Sequence, residues 1–199
     1  MSLLFETIRI QNGEFQNLSF HKARVENSRK EIFNACEPIN LQERILIPGY
    51  CRSGVFKCKI LYDVDVKSIA FETYAIRRIG SLKLIEDNAI LYNYKFVDRT
   101  KIDRHIANKG NYDDILIVKN GLVTDTSYAN IVFFDGKNWI TSSAPLLQGT
   151  MRSYLLKNGL IAESKISPDD LRNYTKARLI NAMLPLDAGT DIPVQDIGY

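Results

Sequence analysis

DDILIVKNGLVTDTSYANIVFFDGKNWIT, residues 113–141, decides the fold. Apolar clusters at 115–118, 122–123, 131–134 and 139–140 are separated by Asn120-Gly121 and Asp135-Gly136. Such pairs favour tight hairpin turns, because Asn, Asp and Gly tolerate positive φ. The stretch therefore predicts three or four short antiparallel strands. Downstream, Gly149 opens a helix carrying Met151, Tyr154, Leu155 and Leu156, and 161–167 reads as a strand. Ser167-Pro168-Asp169-Asp170 is a helix start, with Pro at the first helical position and acids in the first turn. ARLINAMLPL (177–186) and DIPVQDI (191–197) read as terminal strands.

Upstream, a helix is expected near 99–109, preceded by strands over 54–62 and 67–76, both rich in Val, Ile, Phe and Tyr. Residues 3–11 read as a strand, Asn12-Gly13 as a hairpin turn and 14–16 as the return. Helices are expected over 20–35, behind Ser19, and from Asn40 to about 47, stopped by Pro48-Gly49. The class is α+β. We expect a small N-terminal α/β domain over 1–80, a connector over 81–90, and a larger domain with a strand-rich core over 91–199.

Composition excludes several functions. Net charge is +3, with Lys and Arg scattered and no basic run interleaved with aromatics, so no nucleic-acid partner is expected. No apolar run approaches a membrane span, and Glu6 and Arg9 interrupt the place where a secretory core would stand. Three cysteines, odd in number and without CxxC spacing, read as reduced thiols in the cytoplasm. Two histidines, His21 and His105, do not make a metal site, so no metal is expected, and both read as surface or capping residues.

Four features could carry chemistry. Lys95 lies in LYNYKFVDR between Tyr92, Tyr94 and Phe96, with Arg99 four residues on. Apolar, cationic surroundings lower a lysine pKa and permit attack on an aldehyde, although most lysines are simply solvated. Lys101 is the local competitor. Asp125 could keep a pyridine nitrogen protonated, or serve only as a turn aspartate, and Asn130 could cap the entry to IVFF. Gly149-Thr150-Met151 opens a helix whose free amides could hold phosphate. Arg24, in FHKAR, offers a guanidinium fork for the same dianion. No single feature decides, but amine, acid, anion turn and arginine together form a set suited to pyridoxal 5'-phosphate.

In that order, FETIRIQNGEF…FHKAR, KFVDR, VTDTSYANIVF, GTMR and LINAMLPL…IPV resemble the class IV aminotransferases, the fold type IV pyridoxal phosphate enzymes. The form of KFVDR and the compact chain look most like 4-amino-4-deoxychorismate lyases. The resemblance implies a fold type IV architecture. It gives Lys95 the Schiff-base role and Arg24 the cofactor phosphate, with Asp125 at the ring nitrogen beside Asn130. Gly149, Thr150 and Met151 would hold the phosphate, and Asn181 and Ala182 would border it or the substrate. Phe5 and Thr7 match positions that border the substrate, and Lys57 stands about where some aminotransferases carry a carboxylate-binding arginine. The implied activity is a lyase releasing 4-aminobenzoate and pyruvate in folate biosynthesis. An aminotransferase of branched-chain or D-amino acid type, and an inactive homologue acting as a binding protein, are the alternatives. A homodimer acting on a small-molecule amino substrate is expected. The family usually has glutamate where this chain has Asp125, and usually carries a further segment ahead of the FET strand.

Overall fold

The computed structural model describes residues 2–199, which divide into two compact units. The first comprises the chain up to Ala75 together with Tyr94–Asp98. Its elements are β1 (Leu4–Gln11), β2 (Glu14–Phe15), α1 (Leu18–Phe33), α2 (Leu41–Arg44), β3 (Val55–Tyr62) and β4 (Val66–Thr73). The strands form an antiparallel sheet in the order β2-β1-β3-β4. Along β1 the side chains alternate, so Leu4, Glu6, Ile8 and Ile10 are buried and Phe5, Thr7 and Arg9 point the other way. Leu4, Ile8 and Ile10 join Val25 of α1, Leu41 of α2, and Cys58 and Ile60 of β3 in one core.

Asn12 and Gly13 both have positive φ, as their hairpin requires. Helix α1 begins one residue before the expected Ser19, on an Asn17 in the left-handed conformation. Helix α2 stops at Arg44, short of the expected 47, because Ile45 turns extended and buries its side chain.

The second unit holds Ile76–Asn93 and Arg99–Tyr199. It contains β5 (Leu82–Glu86), α3 (Thr100–Ala107), β6 (Asp114–Lys119), β7 (Leu122–Thr126), β8 (Asn130–Phe134), β9 (Trp139–Ser142), α4 (Thr150–Lys157), β10 (Ala162–Ser164), β11 (Lys176–Ile180), β12 (Ile192–Pro193) and β13 (Ile197–Gly198). The sheet runs β10-β9-β8-β7-β6-β5-β13, and β11 pairs with both β8 and β12. Central β6 is buried on both faces from Asp114 to Val118, which accounts for its unbroken apolar run. Leu116, Val118, Val123, Ile131, Phe133 and Leu179 form the main core. Residues Met151 and Leu155 of α4 pack with Val132, Ile161 and Ile180.

The structure corrects the expected boundaries. Residues 81–90 are not a connector: Leu82 and Leu84 are buried, and β5 pairs in parallel with β6. Nor does 91–199 form one body, because Tyr94–Asp98 belongs to the first unit. There Phe5 N–H donates to the Lys95 carbonyl and Val97 N–H to the Leu3 carbonyl, each at 2.9 Å, around a bridge between Leu4 and Phe96. The helix starting at Ser167 forms with the expected capping box to Asp170, but as a 3-10 segment, Pro168–Asn173.

Candidate functional site

Within the first unit, β1 and α1 place a buried ionic cluster. His21 and Arg24, three residues apart, share one face of α1. Both meet Glu6, which β1 directs inward and which is fully buried. Arg24 donates from Nε to Glu6 Oε1 at 2.7 Å and from Nη2 to Oε2 at 2.6 Å. His21 Nδ1 donates to Oε2, also at 2.6 Å. Burial alone would raise the Glu6 pKa, but the Arg24 charge and the His21 hydrogen bond outweigh it and hold the carboxyl well below its usual range. Burial lowers the His21 pKa despite Glu6, so the imidazole is neutral and Nδ1 carries the proton that Glu6 accepts. The two-point bond fixes the guanidinium plane, leaving its direction set by strand and helix, not by side-chain freedom. His21 thus departs from the surface reading; it is fully buried.

Lys95 lies at the edge of β1. Its Nζ stands 4.6 Å from the centroid of the Phe5 ring, over the aromatic face. On the same open face of the sheet, Thr7 pairs in register with Lys59, and Arg9 with Lys57. The ammonium of Lys57 is taken by Glu72, its register partner on β4, at 2.6 Å. Lys101 lies in α3 of the second unit and donates to the Ala89 carbonyl.

The second unit assembles the acid and the anion turn. Asp125 and Asn130 face each other across the β7–β8 pairing, closed by Thr126 N–H donating to the Ala129 carbonyl. That explains their five-residue spacing: opposed residues of a tight hairpin put both side chains on one face. Asn130 Nδ2 donates to Asp125 Oδ1 at 2.8 Å and to the Leu147 carbonyl at 3.0 Å, and Leu147 N–H donates to Asp125 Oδ2 at 2.9 Å. Burial pushes the Asp125 carboxyl up to about 6, the two hydrogen bonds restraining the rise. Asn130 also reaches the start of α4. A Cβ built on Gly149 would overlap the Asn130 side-chain oxygen, so only glycine fits there.

Gly149 is the residue preceding α4, and Thr150 and Met151 occupy its first turn, both buried. Both lie in the turn where the helix itself offers an amide no i−4 carbonyl. Arg152 anchors this turn from inside, donating to the Ser142 carbonyl at 2.9 Å, Gln148 at 3.1 Å and Glu163 at 2.5 Å. Asn181 shapes a tight turn after β11, its Oδ1 accepting from Met183 and Leu184 N–H at 2.8 and 3.0 Å. Ala182 sits at the tip of that turn, half-buried.

The sequence reading missed Glu6 and Arg152. Glu6 could have been found from its place among Leu4, Ile8 and Ile10, where an inward carboxylate needs a cation, and Arg24 was at hand. Arg152 gave no signal beyond its place in GTMR. His105, read as a surface residue, is half-buried and bonds Asp87 at 2.8 Å. The groups required by pyridoxal phosphate are present: an aromatic-flanked lysine, a buried acid that ionises near neutrality, and a helix start opened by glycine. The glycine at 149 is required by the Asn130 side chain, whose oxygen takes the place a Cβ would fill.

The model for the family described as amino-transferase class IV matches residues 66–187. A Haemophilus influenzae protein without assigned activity is 36% identical over 182 residues, covering 90% of this chain and 97% of its own. A crystal structure from Haemophilus somnus, provisionally named a 4-amino-4-deoxychorismate lyase, is 34% identical, with a TM-score of 0.88 and coverage of 94% and 98%. A Mycobacterium tuberculosis aminotransferase described as hypothetical, solved in a PLP-bound form, shares the fold. Its TM-score is 0.75 at 14% identity, covering 96% of this chain and 80% of that one.

Proposed function

This chain belongs to the amino-transferase class IV family, and on that premise we propose that it is a pyridoxal phosphate-dependent lyase converting 4-amino-4-deoxychorismate to 4-aminobenzoate and pyruvate, a step of folate biosynthesis. The observation that carries the reading is Asp125: a fully buried carboxylate, positioned by Asn130 and the Leu147 amide, whose pKa of about 6 lets it ionise in response to a cationic partner. The name given to the Haemophilus somnus relative supports the choice of lyase within the family.

When bound, pyridoxal phosphate supplies an electron-withdrawing ring that stabilises negative charge on the carbon next to the substrate nitrogen. Lys95, whose Nζ stands over the Phe5 ring, would be the amine that anchors the cofactor. The same Nζ would serve as the base that takes the proton from the ring carbon bearing the amine; the bond from the ring to the enolpyruvyl oxygen breaks, and the departing enolate takes up a proton at its methylene carbon to become pyruvate. Asp125, kept oriented by Asn130 and the Leu147 amide, would hold the pyridine nitrogen protonated. Arg24, held in plane by Glu6, and the amides of Thr150 and Met151 would bind the phosphate. Asn181 shapes the turn that presents the Ala182 amide to phosphate or substrate. Phe5 and Thr7 border the substrate. The enzyme acts as a cytoplasmic homodimer.

The test is visible absorption of the protein reconstituted with pyridoxal phosphate, alongside Lys95→Ala, before and after borohydride, followed by a pyruvate assay. A band lost in Lys95→Ala and abolished by borohydride, with pyruvate released without added keto acid, is the expected result. Turnover only with a keto acid acceptor would make the protein an aminotransferase. A wild-type protein without the band would refute the cofactor.

A further inference from the structure

We infer that Lys59 reads a carboxylate on the substrate, setting the enzyme's preference for amines that carry an acid at the far end of a six-membered ring. The inference deepens the reading above and rests on it for the role of Lys95. Three observations carry it.

First, Lys59 lies on the same face and around the same ring as Lys95. β1 and β3 pair in register, so Thr7 stands opposite Lys59, and Phe5 is two residues away on the same face. Lys59 Nζ lies 5.8 Å from the Phe5 centroid, where Lys95 Nζ lies at 4.6 Å. The two ammonium nitrogens are therefore no further apart than the sum of those distances. A small ring with an amine at one end and a carboxylate at the other matches that scale.

Second, Lys59 lacks a counter-ion. Among the described residues its only recorded partner is the Phe5 ring. The register explains why. Lys57 has Glu72 opposite it on β4 and pairs with it, whereas Lys59 has Ala70 opposite and finds no acid. Glu72 feels Lys59 only weakly after Lys57. Two lysines two residues apart on one strand thus have different tasks: Lys57 is neutralised and Lys59 is left to attract an anion.

Third, Lys59 is half-buried against its own sheet, with Ala70 and Thr7 as small register neighbours. A partly desolvated ammonium binds carboxylate more strongly than one in open water. Neither register neighbour carries a long or charged side chain.

The experiment compares binding of 4-aminobenzoate with that of neutral 4-aminobenzamide, by calorimetry on the reconstituted protein. The set is wild type, Lys59→Met, Lys59→Arg and Lys57→Met. We expect wild type to prefer the acid by about tenfold, the scale of one charge-assisted hydrogen bond. Lys59→Met should abolish that preference, Lys59→Arg should restore it, and Lys57→Met should leave it unchanged. Failure of wild type to distinguish the two ligands, an unchanged ratio in Lys59→Met, or an equal loss in Lys57→Met would each overturn the inference. The visible band recorded on the same samples separates the two readings. A preference lost only in Lys59→Met, in protein lacking the band, would refute the cofactor and retain Lys59. The band with an unaltered ratio would do the reverse.

Discussion

Replacing Asp125 by Asn should make the cofactor-free protein less sensitive to alkali. The carboxyl is fully buried, and its pKa rises from the ordinary 3.8 to about 6. A raised carboxylate pKa means that the folded state holds a proton where the unfolded state has lost it. The contribution of Asp125 to stability is therefore most favourable at low pH, declines as pH rises from 3.8 towards 6, and is level above that. The shift corresponds to a total penalty of about 3 kcal/mol. Between roughly pH 4 and pH 7.5, wild type should lose about 2–3 kcal/mol that the Asn variant keeps. The variant carries a fixed cost of its own. Asn130 Nδ2 and Leu147 N–H donate to separate oxygens of Asp125, and a carboxamide accepts at only one of those places. That lost bond is worth about 1 kcal/mol at every pH, so it offsets the curve without tilting it. Urea unfolding of both proteins across this range measures the difference. Parallel curves would refute the reasoning and would mean that Asp125 ionises as freely as an exposed aspartate.

Gly149→Ala should cost about 1–3 kcal/mol in urea unfolding, because the new Cβ overlaps the Asn130 oxygen and displaces the amide whose Nδ2 donates to Asp125; pyridoxal phosphate should also bind more weakly. Glu6→Gln should destabilise by about 1–3 kcal/mol, since the buried carboxylate that accepts from both Arg24 and His21 is lost. In the same variant, affinity for pyridoxal phosphate should fall while that for pyridoxal, which lacks the phosphate, is unchanged, as paired titrations would show. Equal losses for both ligands would mean that Glu6 acts on the fold and not on Arg24.

The strands were legible where turn chemistry punctuated them. Asn12-Gly13 and Asn120-Gly121 mark their hairpins because both residues take positive φ. β5 was not legible: its five residues, LKLIE, pair in parallel with a strand nearly thirty residues on, and nothing local announces a parallel partner. The candidate site was legible as a set of residue types, since Asp125, Asn130 and Gly149 do meet. Its support was less so. The inward turn of Glu6 follows from strand alternation, but that His21 and Arg24 lie over it depends on how α1 sits on β1. The difference between Lys57 and Lys59 depends on which residue of β4 stands opposite each, which is a matter of register.

The first unit is not a continuous stretch of chain, and that has a consequence for how the protein is made. At the ribosome, β1 emerges first, yet the segment that closes its exposed edge follows only after β5 has been synthesised for the other unit. At about 5–20 residues per second, several seconds separate β1 from its last partner. During that interval the Leu3–Phe5 edge is an open template for another nascent strand. Lys95 is thus delivered by the segment that ends this exposure, so the arrival of its amine beside Phe5 and the protection of the edge are a single event in biosynthesis.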